Sequence, residues 1–382
     1  MKNGEFVMRR FWKQGIAPVA LAIAVLTFAT AVSIAAKPGG GGGGASYDVV
    51  RLAYPGAATA STESLDLNDH GNVVGTYRDA NDVQYGYYYE HATQTYRSLD
   101  AGVTVARINQ LNALVGSDDD LGCGLYWSSP IDPDPTPLLP LLGVHTHSRA
   151  NAINDDGIII GNSYIPEVSP AYPPAIVVWR IDAEGAASDP VVLPYPAGDS
   201  RGSATALTEQ TDGVTVIVGS TGDAESFPIH AVQWSVILDG AGKPQLLDGP
   251  NVLSSDYAQA LGINTSLSVV GQAVFTEGGA GWPYLKPADL PLVPLAGIPK
   301  ATFGAAKAIN DAGQIVGYQW YQSRGASVFR AVLWTSPFNV IDLNSKVALG
   351  RSESLTLASD VNSQGDVLAT INGNTPCLLI AK

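Results

Sequence analysis

The chain has 382 residues, of which 46% are hydrophobic and 15% charged, and its formal net charge is −14. That length and apolar content suffice to bury a sizeable core without covalent staples, and so large an excess of acids repels phosphate backbones, which sets nucleic acid aside as a partner. Two cysteines, Cys123 and Cys377, do not make a disulfide framework.

In chain order the first segment reads as a leader. "MKNGEFVMRRFWKQ" carries Lys2, Arg9, Arg10 and Lys13 against Glu5, and an uncharged run from Gly15 to Ala36 follows, the pattern of a secretory signal peptide. "SIA", Ser33 to Ala35, has the small-x-small form that predicts cleavage after Ala35, with Ala36 as a near alternative, so residues 1–35 are read as signal peptide. An uncleaved anchor is the competing reading, because about 20 apolar residues can span a bilayer. Arg9-Arg10 resembles a twin-arginine signal but lacks its spacing. Residues 36–46, with six consecutive glycines, form a flexible tether. Cleavage takes away four bases and one acid and leaves 17 basic and 34 acidic residues. The expected location is secreted, periplasmic or cell-surface, with membrane contact only if the leader is retained.

From residue 47 onward the chain repeats. Five segments align on an Asn and on a Gly seven positions later: "LNDHGNVVG" (67–75), "INQLNALVG" (108–116), "INDDGIIIG" (153–161), "INTSLSVVG" (263–271) and "INDAGQIVG" (309–317). "LTEQTDGVTVIVG" (207–219), with four extra residues and Thr208 in place of Asn, and "VNSQGDVLA" (361–369), which ends in Ala369, bring the copies to seven. Their last positions lie 41 to 58 residues apart, a period typical of propellers, solenoids or arrays. Each copy reads as two short strands joined by a tight turn. A third strand follows, usually ending in an aromatic, as in "YGYYYE" (85–90), "CGLYW" (123–127), "AIVVW" (175–179), "HAVQW" (230–234) and "RAVLW" (330–334). Then comes a shorter apolar segment such as "YRSLD" (96–100) or "NVIDL" (339–343). β-Branched and aromatic residues between Gly, Pro and Asp make these strands, and four strands per period is one propeller blade.

The seventh period ends at Lys382 without a fourth strand, while "YDVVRLAY" (47–54) has fourth-strand character and no blade of its own. Pairing it with residues 377–381 would close the ring and remove two open sheet edges. The expected fold is therefore an all-β, seven-bladed β-propeller of four-stranded blades, residues 47–382 forming one monomeric domain closed by an N-terminal strand.

Within the repeat, Asn68, Asn154, Asn310 and Asn362 are expected to hydrogen-bond their own turns, and Gly71, Gly157, Gly313 and Gly365 to take the positive φ that ends a type I turn. The later Gly signals close approach of backbone or an aromatic ring, and Trp127, Trp179, Trp234 and Trp334 are expected to supply such rings between blades. The repeat form, Ala-x-x-Ile-Asn-x-x-Gly-x-Ile-Val-Gly followed by a strand such as "HAVQW" or "RAVLW", resembles the bacterial extracellular HAF-repeat family. The resemblance implies a secreted or cell-envelope bacterial protein and implies no reaction.

Linear motifs for chemistry are sparse. His145 and His147 in "GVHTH" lack a third metal ligand nearby and read as a polar loop before blade 3. His70 and His91 are isolated, and His230 reads as a packing or hydrogen-bonding residue. "GSDDDLG" (116–122) could bind calcium but lacks EF-hand spacing, so it reads as a solvated hairpin tip; no metal or other cofactor is expected. No "GxSxG" elbow or phosphate-cradling Gly loop occurs. Cys123 and Cys377 begin third strands of blades 2 and 7 and are expected to be free, buried thiols.

Two function classes follow. The first is a non-catalytic binding or scaffold propeller at the cell exterior that recognises carbohydrate or an extracellular or envelope protein. The second is a carbohydrate-active hydrolase or lyase whose acids come from several blades. Chain direction places the loops between second and third strands on one face, and variable loops on a regular scaffold are where function concentrates. Asp119, Tyr164, Tyr172, Trp320, Tyr321 and Arg324 on those loops are the candidate ligand-binding residues; no catalytic residue is assigned.

Overall fold

The computed structural model describes residues 46–58, 62–166, 173–223, 230–254, 257–276 and 279–382; the expected signal peptide and almost all of the tether fall outside them. The strands form seven four-stranded antiparallel sheets, the expected seven-bladed propeller. Blades 1 to 6 each use four consecutive strands. Blade 7 takes Leu355–Val361, Val367–Ile371 and Thr375–Ala381 from the end of the chain and its outermost strand, Tyr47–Arg51, from the start. Tyr47 lies opposite Ala381 and Arg51 opposite Cys377. This strand is shorter than the expected span to residue 54, yet Leu52 beyond it is fully buried and donates its N–H to Pro376 O at 2.9 Å.

The first strands of the blades, Glu63–Leu67, Val103–Ile108, His147–Ile153, Arg201–Leu207, Ala258–Ile263, Phe303–Ile309 and Leu355–Val361, pack side by side around the central channel. Separate apolar clusters lie between neighbouring blades, for example Val270 and Leu295 of blade 5 against Ile315, Val332 and Trp334 of blade 6. Buried tryptophans staple these interfaces. The indole N–H groups of Trp179, Trp234 and Trp334 donate to Leu139 O (3.0 Å), Pro194 O (2.9 Å) and Ala296 O (2.7 Å), each just beyond the fourth strand of the preceding blade.

The repeat Asn does more than hold its own turn. In blade 6, Asn310 Oδ1 accepts the N–H of Gln314 at 2.9 Å, and Gly313, at φ 76°, donates to Asn310 O at 3.0 Å, the expected type I turn with a left-handed end. The other amide edge reaches the next blade. Asn68, Asn109, Asn154, Asn264, Asn310 and Asn362 donate through Nδ2 to the backbone oxygens of Asn109, Asn154, Thr208, Asn310, Asn362 and Asn68 respectively, at 2.8–3.3 Å. The ladder therefore runs round the ring and across the chain ends, and is interrupted at Thr208, whose hydroxyl instead accepts the N–H of Val216 at 3.1 Å.

A β-bulge interrupts every first strand three residues before that Asn position, at Leu65, Ala106, Asn151, Thr205, Leu261, Lys307 and Ser359. The bulge explains the later repeat glycine. A Cβ on Gly75, Gly116, Gly161, Gly219, Gly271 or Gly317 would stand 1.8–2.2 Å from the carbonyl oxygen two residues before the bulge in its own blade. The aromatic rings that also crowd these glycines, Tyr87, Trp179 and Tyr284, belong to the third strand of the same blade. The rings that crowd the glycines thus come from the same blade, while Trp127, Trp179, Trp234 and Trp334 pack as expected into clusters shared with the preceding blade.

Two further expectations change. "QWYQSRGASV" (319–328) is no open loop, because Arg324 (φ 50°) and Gly325 (φ 84°) make a two-residue turn and the second and third strands of blade 6 stay paired out to Ser323 and Ala326. Both cysteines are free, but only Cys377 is buried; Cys123 is half-buried.

Deleting residues 47–54 removes the outer strand of blade 7 together with buried Tyr47 and Leu52, and is expected to cost at least about 3 kcal/mol; unchanged thermal unfolding would contradict closure by this strand. Asn310→Ala, which strips partners from two buried backbone groups, is expected to cost about 2 kcal/mol, whereas Thr208→Asn, which supplies the missing rung, is expected to add about 1 kcal/mol. Denaturant unfolding of the two variants measures both.

Candidate functional site

The loop-face residues expected to bind a ligand are not brought together. Asp119, at the tip of the blade 2 hairpin, ion-pairs with Arg149 of blade 3 at 3.0 Å. Tyr164 ends the second strand of blade 3 and packs on the His147 ring, 5.7 Å between centroids. Tyr172 lies outside the described residues. The other three sit on blade 6: Trp320 pairs across strands with Phe303 and Phe329, 5.9 and 6.1 Å between rings, Tyr321 packs on the opposite side into the cluster shared with blade 5, and Arg324 is an exposed turn residue. The set thus divides between blades 2–3 and blade 6.

The histidines take hydrogen-bonding roles. His145 reaches Ser163 Oγ (3.0 Å) and Pro173 O (3.1 Å), and His230 Nδ1 lies 2.8 Å from Asp199 Oδ2. In the "GSDDDLG" tip, Asp118 Oδ1 accepts the N–H groups of Asp120 and Leu121. Among the described residues no group of three or more His, Cys, Asp or Glu side chains could hold a metal ion.

A recess opens on the loop face where blade 5 meets blade 6. Phe275, Thr276 and Ala280 from the connection between the second and third strands of blade 5, with Trp282, Pro294 and Thr302, enclose about 280 Å³. Phe275 is 42% exposed and offers a free aromatic face. Trp282 is held by its N–H to Leu295 O at 2.8 Å, and the N–H of Thr302 donates to Trp320 O at 3.0 Å, which ties the recess to the aromatic row of blade 6.

The second site lies in the central channel, where residues from six blades surround a cavity of about 120 Å³: Asp66 of blade 1, Arg107 of blade 2, Ala206 of blade 4, Gly262 of blade 5, Lys307 of blade 6 and Asp360 of blade 7 among them. Asp66 Oδ2 accepts the N–H of Ile108 at 2.8 Å and Asp360 Oδ2 that of Leu67 at 3.0 Å, so each carboxyl caps the first strand of the following blade. Burial, opposed by Arg107 and reinforced by the neighbouring Asp360, pushes the Asp66 carboxyl well above the usual carboxylate range. Arg107 Nε stands 3.5 Å from Asp66 Oδ1, and its Nη1 donates to Leu65 O. Lys307 lines the same cavity and is partly exposed to it. Burial, with Arg107 as the second cause, brings its ammonium down to about 8.

The turn-face mouth carries acids. The backbone N–H groups of Gln110, Asp155 and Thr265 donate to Asp155, Glu209 and Asp311 of the next blade at 2.8 Å. Burial, and then the nearby Asp155, Asp156 and Asp311, pushes Glu209 up to about 7.

The channel charges are legible in the sequence once the repeats are aligned further back. Two positions before the repeat Asn, blades 1, 2 and 7 carry Asp66, Arg107 and Asp360 where the others carry Ala152, Ala206, Gly262 and Ala308; Lys307 is one position earlier. Phe275 left no periodic signal, since it lies in a loop without counterparts, whereas Trp282 opens the third strand of blade 5.

The ring of blades with a charged channel and an irregular loop face defines a β-propeller. No family model matches the chain and no curated protein matches it. Among solved structures it is similar to the β-propeller domain of the Trilobed protease from Pyrococcus furiosus, with 11% identity and a TM-score of 0.50 over 81% of this chain and 89% of that one. It is also similar to the Dos1 propeller, with 10% identity and a TM-score of 0.51 over 87% and 95% of the two chains. A third similar structure is the acylaminoacyl peptidase of Pyrococcus horikoshii, with 8% identity and a TM-score of 0.51 over 84% of this chain but 51% of the peptidase, so this chain spans about half its length. At such identities the likeness is one of fold alone.

The lysine makes a pH-dependent prediction. Its ammonium gives up a proton near pH 8 in the native chain and near the ordinary 10.5 when unfolded, so charging it costs stability below about pH 8 and the cost fades as pH rises through that interval. Lys307→Met is expected to raise stability by about 1–2 kcal/mol at neutral pH, after allowance for channel water. That gain should vanish toward pH 10.5. Chemical denaturation across this range is the check, and a loss at neutral pH would contradict it.

Proposed function

We propose that the chain is a monomeric binding propeller of the cell exterior that takes carbohydrate on its loop face, at the boundary of blades 5 and 6. The observation that carries this reading is the recess lined by Phe275, Trp282, Thr276 and Thr302. A pyranose presents a C–H face that stacks on an aromatic ring and a rim of hydroxyls that exchange hydrogen bonds with threonine side chains. Support for export comes from the leader, the glycine tether and the resemblance to extracellular HAF repeats. An extracellular protein loop is the competing occupant.

The catalytic reading has one observation in its favour: Asp66 and Asp360 come from different blades and meet in the channel. Each, however, uses an oxygen to cap a neighbouring strand, and a structural carboxyl held in this way is poorly placed for acid–base work. Binding is therefore the reading adopted.

Glycan-array screening followed by titration tests it. Phe275→Ala is expected to weaken the selected glycan about tenfold or more, a loss of about 1.4 kcal/mol, with melting unchanged. Asp311→Ala, on the opposite face, is expected to leave affinity unaltered while lowering the melting temperature. Binding lost only in the Asp311 variant, or an absence of glycan binding beside capture of a defined extracellular protein, would overturn the carbohydrate assignment. Release of oligosaccharide fragments that stops in Asp360→Asn would favour the enzyme.

A further inference from the structure

The channel carries a side chain that the fold does not use. Of the seven bulged residues, the polar neutral ones are tied down: Asn151 Nδ2 donates to Ala204 O (2.9 Å), Thr205 Oγ1 to Ala260 O (2.7 Å) and Ser359 Oγ to Leu368 O (3.3 Å). Leu65, Ala106 and Leu261 have nothing to bond. Lys307 alone brings a charge to this ring, and among the described residues its ammonium makes no hydrogen bond or ion pair. A charge kept unpaired in a confined space works against folding, so a partner from outside the chain is the natural complement.

The surroundings define that partner. Arg107 lines the cavity with Lys307 and acts on it through its charge, and its Nη2 is unbonded among the described residues. Asp66, which burial pushes well above the usual carboxylate range, and Asp360 also face the cavity, inside a chain whose formal charge is −14. A monoanion pairs with the two cations while adding less negative charge beside Asp66 and Asp360 than a phosphate dianion would. The planar fork of a guanidinium matches a carboxylate, and Ala206, Gly262 and Ala308 leave about 120 Å³ for it, room for a few heavy atoms.

We propose that the central channel binds a carboxylate group between Lys307 and Arg107, borne by a free small acid or by a uronic acid sugar. The site shares no residue with the loop-face recess, so it stands or falls independently of glycan binding there.

The purified chain is titrated with sodium acetate and with sodium D-glucuronate against sodium chloride of equal ionic strength, followed by calorimetry and by the ¹⁵N resonance of the Lys307 ammonium. Saturable binding of one ligand per chain is expected for at least one of the two, with the ammonium keeping its proton to higher pH in the complex. Acetate bound alone identifies a free acid, and glucuronate bound more tightly identifies a sugar-borne one. Lys307→Met is expected to lose at least tenfold in affinity without melting below the wild type, which separates lost binding from lost folding, and Phe275→Ala to bind as the wild type does. The proposal is overturned if neither ligand saturates, if Lys307→Met binds equally well, or if inorganic phosphate binds more tightly than both.

Discussion

The propeller rests on one small side chain used twice. The amide oxygen of each repeat Asn fastens the hairpin of its own blade, and the amide nitrogen reaches the backbone of the next. Because both edges of a planar amide are engaged, the turn and the angle between blades are set together. Through Asn362 and Asn68 the same bond crosses from the last blade to the first, where the chain ends also share a sheet. Closure thus comes from hydrogen bonds and strand pairing, with both thiols left free. The rung missing at Thr208 coincides with the copy whose turn is lengthened, as expected if the turn and the ladder require one another.

The glycines record a second constraint. Seven strands converge on one axis, and a bulge in each bends the strand and sharpens its twist. In blades 1 to 6 the bend drives a carbonyl of the first strand toward the Cα of the second, leaving no room for a side chain there, whereas blade 7 carries Ala369 at that position. The same bulge frees one side chain per blade from the alternation that would otherwise commit it to a core face. Blades 3 and 4 use it to bond the neighbouring backbone, and blade 6 uses it to hold a lysine in the channel. The scaffold and the candidate anion site therefore have a common geometric origin.

The loop face shows why residues that share a face do not by themselves make a pocket. Asp119 and Trp320 lie on the side that chain direction assigns, but a ring of blades spreads that side over the whole disc, and each residue is engaged by neighbours of its own. A pocket needs groups from adjacent connections, as Phe275 and Thr302 are. Adjacency in the ring, more than residue type, selects them.

Periodicity alone was enough for the blade count, the closing strand, the turn type and the glycines of most repeats, because these follow from local backbone geometry that recurs from blade to blade. The meeting of Asp66 with Asp360, more than 290 residues apart, was not available to that reading, nor was the lysine left without a partner beside Arg107. Both depend on which blades face one another across the axis and on how far each bulge turns its side chain. Only the closed ring decides those distances, since it brings positions from the two ends of the chain into a single cavity and excludes most of the water that would otherwise screen their charges.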